Sequence, residues 1–150
     1  MSLAAAAGVS LATLPRRSAA PAMPGEQLSA EPEQVAVIDA GTLRLGDRVV
    51  RLRGVEPPLH STTCSDEDCG AAAANALAAM VRDAPVVCRV VGTDRSGRPY
   101  GMCQADGSEL NQAVVAAGWA RAQDDVPALR AAEKAARAEK RGIWAHNPIW

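Results

Sequence analysis

The sequence predicts an α+β fold that is mainly β: a five-stranded OB-type barrel with three helices. Two observations lead to this prediction. Short segments with alternating apolar and polar residues are separated by Gly- and Asp-containing turns, which is typical of strands joined by tight connections. The elements follow the order three strands, one helix, two strands and two helices. Consecutive short strands with helices at one end favour a small closed barrel.

Turn residues delimit the predicted strands. The first two flank Ala40-Gly41, and the third alternates Val50 and Leu52 with the arginines at positions 51 and 53. The last two are joined by 94–97, where Asp comes first and Gly last, as in a type I turn. The predicted strands are 35–39, 42–45, 49–55, 86–91 and 99–105.

The three helices are predicted from periodicity and from end signals. Segment 70–82 is rich in alanine and carries Ala73, Leu77 and Val81 on one face. The second helix follows Ser108 as its N-terminal cap and stops at Gly118. The third, 127–141, starts with a proline and ends before a glycine.

The N-terminal region, 1–33, is predicted to lie outside the folded domain, which then spans 34–150. Its apolar run at 3–14 has the length of a signal-peptide core and is too short to cross a membrane. We interpret this region as a remnant of an export signal, with a disordered Ala/Pro-rich tail as the alternative. No transmembrane segment is predicted, and the domain is expected to be periplasmic or secreted.

The four cysteines support export, because an even number in a small chain permits two bridges. Cys88 and Cys103 flank the 94–97 turn at nearly equal distances, so we predict that they are bridged. Cys64 and Cys69 are then left to pair. A zinc site and four buried free thiols are the alternatives, although no CxxC pair favours zinc.

The formal net charge of −1 excludes a global positive field that would attract nucleic acid. Any anionic partner, such as a nucleic acid or an anionic polysaccharide, must therefore bind through a local arginine patch. Arg51 and Arg53 share one face of the third predicted strand and are candidates for such a patch. Arginine suits this role because its planar fork binds phosphate bidentately.

Five segments together resemble the staphylococcal nuclease-like (thermonuclease) family, over 35–150. They are VIDAGTLRL, VRLRGVEPPL, DRSGRPYGMC, ELNQAVVAAGWA and AEKAARAEKRGIW. The resemblance implies the OB barrel with three helices. It also implies cleavage of DNA and RNA phosphodiester bonds with Ca²⁺ in active members of the family.

The resemblance implies that this chain has lost several active-site groups. The family's first motif reads Asp-Gly-Asp-Thr, and its calcium-binding second Asp falls on Gly41. The second calcium Asp falls on Glu56, and the Glu that activates water falls on Leu59. Two phosphate-binding arginines are retained as Arg51 and Arg98. Because calcium requires several anionic oxygens, we expect neither a metal site nor a bound cofactor.

The resulting prediction is an exported nuclease-like domain that has lost Ca²⁺-dependent catalysis and binds a phosphate-bearing ligand. Arg51, Arg98 and Arg53 are the predicted phosphate ligands, and Arg51, Arg98 and Glu56 are the remaining catalytic positions. Relatives of this domain also suggest a setting in exopolysaccharide (succinoglycan) biosynthesis. Two alternatives stay open: an active nuclease with a rebuilt site that uses Glu56 and His60 with the arginines, and a purely structural periplasmic partner.

Overall fold

The computed structural model describes residues 22–64 and 66–146, and these residues form a mainly β structure with three α-helices. These residues contain eleven strands, several of them only two residues long. The strands are β1 Gln27–Ala30, β2 Val35–Asp39, β3 Thr42–Leu45, β4 Arg48–Leu52, β5 Val55–Glu56, β6 Thr63–Cys64, β7 Glu67–Asp68, β8 Val86–Thr93, β9 Pro99–Ala105, β10 Ser108–Glu109 and β11 Arg121–Ala122. The helices are α1 Cys69–Met80, α2 Leu110–Ala116 and α3 Pro127–Ala138.

The main sheet is mixed and follows the order β1-β8-β9-β4-β3-β2, with β10 added to β9. Its pairs are antiparallel except β4 with β9, which run parallel. The predicted OB-like α+β class is confirmed, but the sheet does not close into a hydrogen-bonded barrel. The two ends of the sheet, β1 and β2, are consecutive in the chain and are connected through a 3-10 turn at Pro32–Gln34.

The fold begins earlier in the chain than the sequence predicts. Strand β1 pairs with β8, and its residues Leu28 and Ala30 are buried. The boundary at residue 34 is therefore corrected, because part of the segment assigned to a tail forms an edge of the sheet. With only four residues, β1 is too short for its alternation of exposed and buried residues to be recognised in the sequence. The interpretation of the N-terminal region as an export-signal remnant depends on the apolar run at 3–14, which lies outside the described residues, and it stays a prediction.

Other element limits also differ from the predicted ones. The strand predicted over 49–55 is split into β4 and β5, because Gly54 adopts a left-handed φ of 80° between them. Ser108 pairs with β9 within β10 instead of capping α2. Helix α3 ends at Ala138, shortly before Lys140 adopts a left-handed φ of 53°.

The core lies between the sheet and the helices and is built from aliphatic side chains such as Leu43, Val50, Leu77 and Val114. One polar side chain is fully buried within it. Asn111 of α2 accepts a hydrogen bond from the Cys103 N–H and donates to the carbonyl oxygens of Arg53 and Gly101, each at 3.0 Å. This side chain therefore ties α2 to β9 and to the segment that follows β4.

Both predicted cysteine pairs lie at disulfide-bonding distance, which confirms the predicted pairing. Cys88 and Cys103 are directly opposite in β8 and β9, with a Cα–Cα distance of 4.0 Å. Cys64 and Cys69 are 5.6 Å apart by the same measure and connect β6 to the start of α1. Within the described part of the chain, none of the helices has the length and apolarity needed to cross a membrane.

Candidate phosphate-binding site

Arg51 is placed by the sheet at the junction between its antiparallel and parallel parts. In β4 it stands opposite Thr42 of β3 on one side and Tyr100 of β9 on the other. Its side chain is one-third exposed, so the guanidinium can reach solvent while its stem lies against the sheet. The guanidinium carbon lies 5.9 Å from the centroid of the Tyr100 ring, within the range of a cation–π contact.

Arg98 is placed by the tight turn between β8 and β9. Asp94 Oδ1 accepts hydrogen bonds from the backbone N–H groups of Ser96, at 2.8 Å, and Arg98, at 2.9 Å. The backbone N–H of Asp94 in turn donates to the Arg98 carbonyl at 2.8 Å. Gly97, the last residue of the turn, has a left-handed φ of 81°, which glycine adopts without strain. The sequence-predicted turn is therefore present, and its aspartate fixes the backbone of Arg98.

Two of the three predicted phosphate ligands, Arg51 and Arg98, converge on that same aspartate. Asp94 Oδ2 lies 3.4 Å from Arg98 Nε and 4.0 Å from Arg51 Nη1. We call Arg51 and Arg98, held on Asp94, the arginine clamp. The Asp94 side chain is 11% exposed, whereas that of Arg98 is 53% exposed. The cationic groups therefore face solvent above a carboxylate that is largely covered.

The arginine clamp keeps a fixed charge at neutral pH. The backbone hydrogen bond from Arg98 lowers the pKa of Asp94 below its ordinary value of 3.8, and the charges of Arg98 and Arg51 act in the same direction, while burial opposes them. Asp94 is therefore ionised, and the three groups together carry one positive charge. Such a site can attract an anion and offer it several N–H donors.

Tyr100 is a site residue that the sequence analysis missed. It lies two residues after Arg98, at the start of β9, and residues two apart point to the same face of an extended segment. That spacing was visible in the sequence. Its significance was not, because the parallel pairing that brings Tyr100 next to Arg51 joins strands far apart in the chain.

The structure does not bring Arg53 into the arginine clamp. The Arg53 guanidinium contacts Gln123 Oε1 at 3.2 Å and Asp125 Oδ2 at 2.5 Å, in the connection between α2 and α3. The expected common face with Arg51 is lost because β4 ends at Leu52 and the chain turns at Gly54. Arg53 thus fastens the α2–α3 connection to the sheet.

Glu56 also has a partner within the protein. It stands opposite Arg121 where β5 pairs with β11, and its Oε2 lies 3.8 Å from Arg121 Nη2. Glu56 therefore forms a surface ion pair with an arginine. A single carboxylate that is already paired with an arginine cannot supply the six to eight oxygens that bind calcium.

The turn at Gly41 is crowded at the position where the family resemblance implies a calcium-binding aspartate. Asp39 Oδ1 accepts a hydrogen bond from the Gly41 N–H at 2.8 Å, so this carboxylate supports the turn. A Cβ atom at position 41 would lie only 3.0 Å from Cδ of Pro57 and 3.3 Å from Cγ1 of Val55. Calcium binds through six to eight oxygens. The residues present at this turn do not fit that requirement.

Leu59, where the family resemblance implies a general base, faces solvent, and the nearby His60 is hydrogen-bonded to the backbone. Leu59 is 75% exposed and has no group that can accept a proton. His60 Nε2 lies 2.7 Å from the carbonyl oxygen of Ile38 and therefore donates to it. Within residues 22–64 and 66–146, no group of three or more His, Cys, Asp and Glu side chains is arranged to hold a metal ion.

Comparison with known proteins places these observations in a family. A family model described as "Staphylococcal nuclease homologue" matches residues 49–146. The matched segment contains both arginines of the clamp, Asp94, Glu56 and Leu59, whereas the Gly41 turn lies just before it. No curated protein matches this chain.

Proposed function

This chain belongs to the staphylococcal nuclease homologue family, and we propose on that premise that it binds nucleic-acid phosphates through Arg51 and Arg98 without cutting them. The observation that carries the proposal is the convergence of both arginines on Asp94, at 3.4 and 4.0 Å. These separations are longer than a tight bidentate salt bridge, so N–H donors of both guanidinium groups are left for a ligand.

Loss of catalysis is supported by three positions whose residues are unsuited to binding calcium or to activating water. Gly41 supplies no side-chain oxygen and is crowded by Pro57, Glu56 is paired with Arg121, and Leu59 cannot take a proton from water. Two arginines alone stabilise charge on a phosphate but do not generate a nucleophile. The clamp therefore binds a ligand that it does not cleave.

An exported location is supported by the two cysteine pairs at bonding distance. Disulfides persist in oxidising compartments and are rare in the cytosol. We therefore place the domain in the periplasm or outside the cell. An anionic polysaccharide is a second possible ligand in such a compartment, as in exopolysaccharide biosynthesis, and the experiment below includes it as a competitor.

The test is a binding titration with a fluorescently labelled single-stranded oligonucleotide in the presence of EDTA. We expect the wild type to bind, and the Arg51→Ala, Arg98→Ala double variant to bind at least tenfold more weakly, because a charged hydrogen bond to phosphate is worth about 1.5–3 kcal/mol. The matched control is Arg44→Ala with Arg82→Ala, which removes the same charge from two exposed arginines outside the clamp. The affinity of the control variant for the oligonucleotide should fall by less than about threefold, as expected for screened surface charges.

Several outcomes would contradict the proposal. Equal losses of affinity in both double variants would show a non-specific charge effect. If the wild type does not bind the oligonucleotide, the arginine clamp is not a nucleic-acid site. Stronger competition by a uronic-acid polysaccharide than by unlabelled DNA would favour the polysaccharide ligand. Product analysis with millimolar Ca²⁺ should show an intact oligonucleotide, and clear cleavage by the wild type would favour the active nuclease with a rebuilt site.

A further inference from the structure

We infer that the outward side of α3 docks on an anionic lipid bilayer, with Arg130, Lys134 and Arg137 as the contacting cations. We call these three residues the basic face of α3. The inference concerns a surface that shares no residue with the arginine clamp, and it does not depend on the proposed function.

Helix α3 presents the three cations along one side. Residues 130, 134 and 137 follow the i, i+4, i+7 spacing, so they form one stripe that rises about 10 Å along the helix. All three side chains are exposed, whereas Leu129 and Ala136 of the same helix are buried. The helix therefore turns its apolar side toward the domain and its basic face toward solvent.

Positive charge is concentrated on this helix and on the residues that directly follow it. Residues 127–141 contain five Lys and Arg and two Glu, which gives a net charge of +3. The other described residues contain nine Arg and fifteen Asp and Glu, which gives a net charge of −6. Exposed charges farther apart than a Debye length of about 10 Å are largely screened from each other. An anionic surface is therefore attracted at α3, and the acidic remainder of the domain orients the protein with α3 toward that surface.

Arg137 is held in place, and the other two cations are available to a partner. Glu133 Oε2 lies 3.3 Å from Arg137 Nε, and the guanidinium carbon of Arg137 lies 4.1 Å from the centroid of the Trp144 ring. Within residues 22–64 and 66–146, neither Arg130 nor Lys134 forms an ion pair. Their long stems let the charged ends reach a surface in front of the helix.

The shape of this surface favours a planar partner over a nucleic-acid strand. A depression of about 400 Å³ beside the basic face is lined by residues of α3 alone, namely Pro127, Arg130, Ala131, Glu133, Lys134 and Arg137. Its lining thus includes no second element that could form the wall of a groove. Single strands bind in basic grooves with aromatic rings on which their bases stack, and the Trp144 ring is covered by Arg137. A bilayer needs only exposed cations near its surface, which attract its anionic headgroups.

The experiment is sedimentation of the full-length protein with vesicles of phosphatidylglycerol and phosphatidylcholine in equal parts. We expect the wild type to sediment with these vesicles at low ionic strength and to stay in solution with phosphatidylcholine alone. Arg130→Ala with Lys134→Ala should lower the partition coefficient about tenfold or more, because each cation near an anionic bilayer contributes about fivefold. Alanine is the best helix former, so α3 should be retained.

A matched control and a change of salt separate a local contact from net charge. Arg44→Ala with Arg82→Ala removes the same charge from two exposed arginines outside α3, and the partition coefficient should fall by less than about threefold. In about 1 M salt, where the Debye length is about 3 Å, the wild type should no longer sediment with the vesicles. Arg130→Gln with Lys134→Gln replaces the alanine variant if circular dichroism shows that the latter is unfolded.

Four results would overturn the inference. The first is a wild type that does not sediment with the anionic vesicles, and the second is an equal loss in the α3 variant and the control. Binding to phosphatidylcholine alone, or binding that survives about 1 M salt, would show an apolar contact instead of attraction by the basic face. A larger loss of oligonucleotide affinity than of vesicle affinity in the α3 variant would assign the basic face to nucleic acid.

Discussion

Pro57 crowds the space that a side chain at position 41 needs, and this contact opposes the restoration of a calcium site. Gly41→Asp would bring a Cβ atom to 3.0 Å from the proline ring, closer than ordinary van der Waals contact. We expect the free energy of unfolding to fall by about 1–3 kcal/mol, as for other overpacked sites. Calorimetry should detect no Ca²⁺ binding tighter than millimolar, even when Leu59→Glu is added to the variant.

Gly92 offers the matched control, because a Cβ atom there meets nothing within 4 Å and its φ is not left-handed. Gly92→Asp should therefore lower the free energy of unfolding, measured with urea, clearly less than Gly41→Asp does. Equal losses would mean that the added charge, and not the crowding by Pro57, is responsible. A micromolar Ca²⁺ site in the Gly41→Asp, Leu59→Glu variant would show that the turn can still be rebuilt.

Asn111 is the buried polar residue whose loss should cost most. Asn111→Leu keeps a similar side-chain size but leaves the Cys103 N–H and the Arg53 carbonyl without their buried partner. The Gly101 carbonyl loses one donor and keeps the Arg53 N–H. We expect a loss of about 2–5 kcal/mol in the free energy of unfolding, because each abandoned group costs about 1–3 kcal/mol. Asn75→Leu, on the exposed face of α1, is the control and should change stability little.

Asp94 predicts a pH dependence of stability. Its pKa is lowered in the folded protein, first by the backbone hydrogen bond from Arg98, so its charged form contributes stability above the unfolded value of 3.8. That contribution is lost as pH falls through the lower native pKa. Wild type should therefore melt at a higher temperature than Asp94→Asn at neutral pH, and the difference should shrink below 3.8. A difference that stays constant across this range would exclude the charge as its source.

At the scale of elements, local signals predicted the turns well and the element ends less well. The 94–97 turn was predicted because Asp and Gly act within the turn itself, through hydrogen bonds from Ser96 and Arg98. The split of the third strand at Gly54 could not be predicted in this way. There a Cβ atom would come within 2.8 Å of side-chain atoms of Leu129 and Val126, which belong to a distant part of the chain.

The two disulfides differ in how much of the chain they constrain, and this difference gives a stability prediction. The bridges close loops with sequence separations of 15 for Cys88–Cys103 and 5 for Cys64–Cys69. In the chain-entropy description the first should contribute about 3 kcal/mol and the second about 2 kcal/mol. Paired Cys→Ala variants, compared by urea unfolding, should preserve this order. Both variants should lose somewhat more than these amounts, because all four cysteines are buried.

At the scale of the whole molecule, the site was only partly predictable. Arg51 and Arg98 could be paired in advance through the family resemblance, and the structure does bring them together. Arg53 was grouped with Arg51 by strand alternation, and the turn at Gly54 separates them. Tyr100 was overlooked because its neighbour Arg51 comes from a parallel strand, and a pairing between distant segments leaves no local signal.

Strand β1 makes the stability of the whole sheet depend on residues near the start of the fold. A chain that begins at residue 31 would leave the β8 edge unpaired along Val86–Arg89. We expect such a chain to be less stable and to associate, because open edges pair with other molecules. Size-exclusion chromatography with light scattering would measure this, with a chain that begins at residue 22 as control. A monomer of unchanged melting temperature would show that β1 is dispensable.

The same strand has a consequence for the order in which the chain folds. The hairpins β2–β3 and β3–β4 join neighbouring segments and can form within microseconds of their synthesis. Leu28 must wait for Cys88, its partner in β8, which emerges from the ribosome several seconds later at about 5–20 residues per second. During that interval β1 lacks its partner strand β8. Its pairing with β8 closes the longest loop of the sheet, so we place it among the last steps of folding.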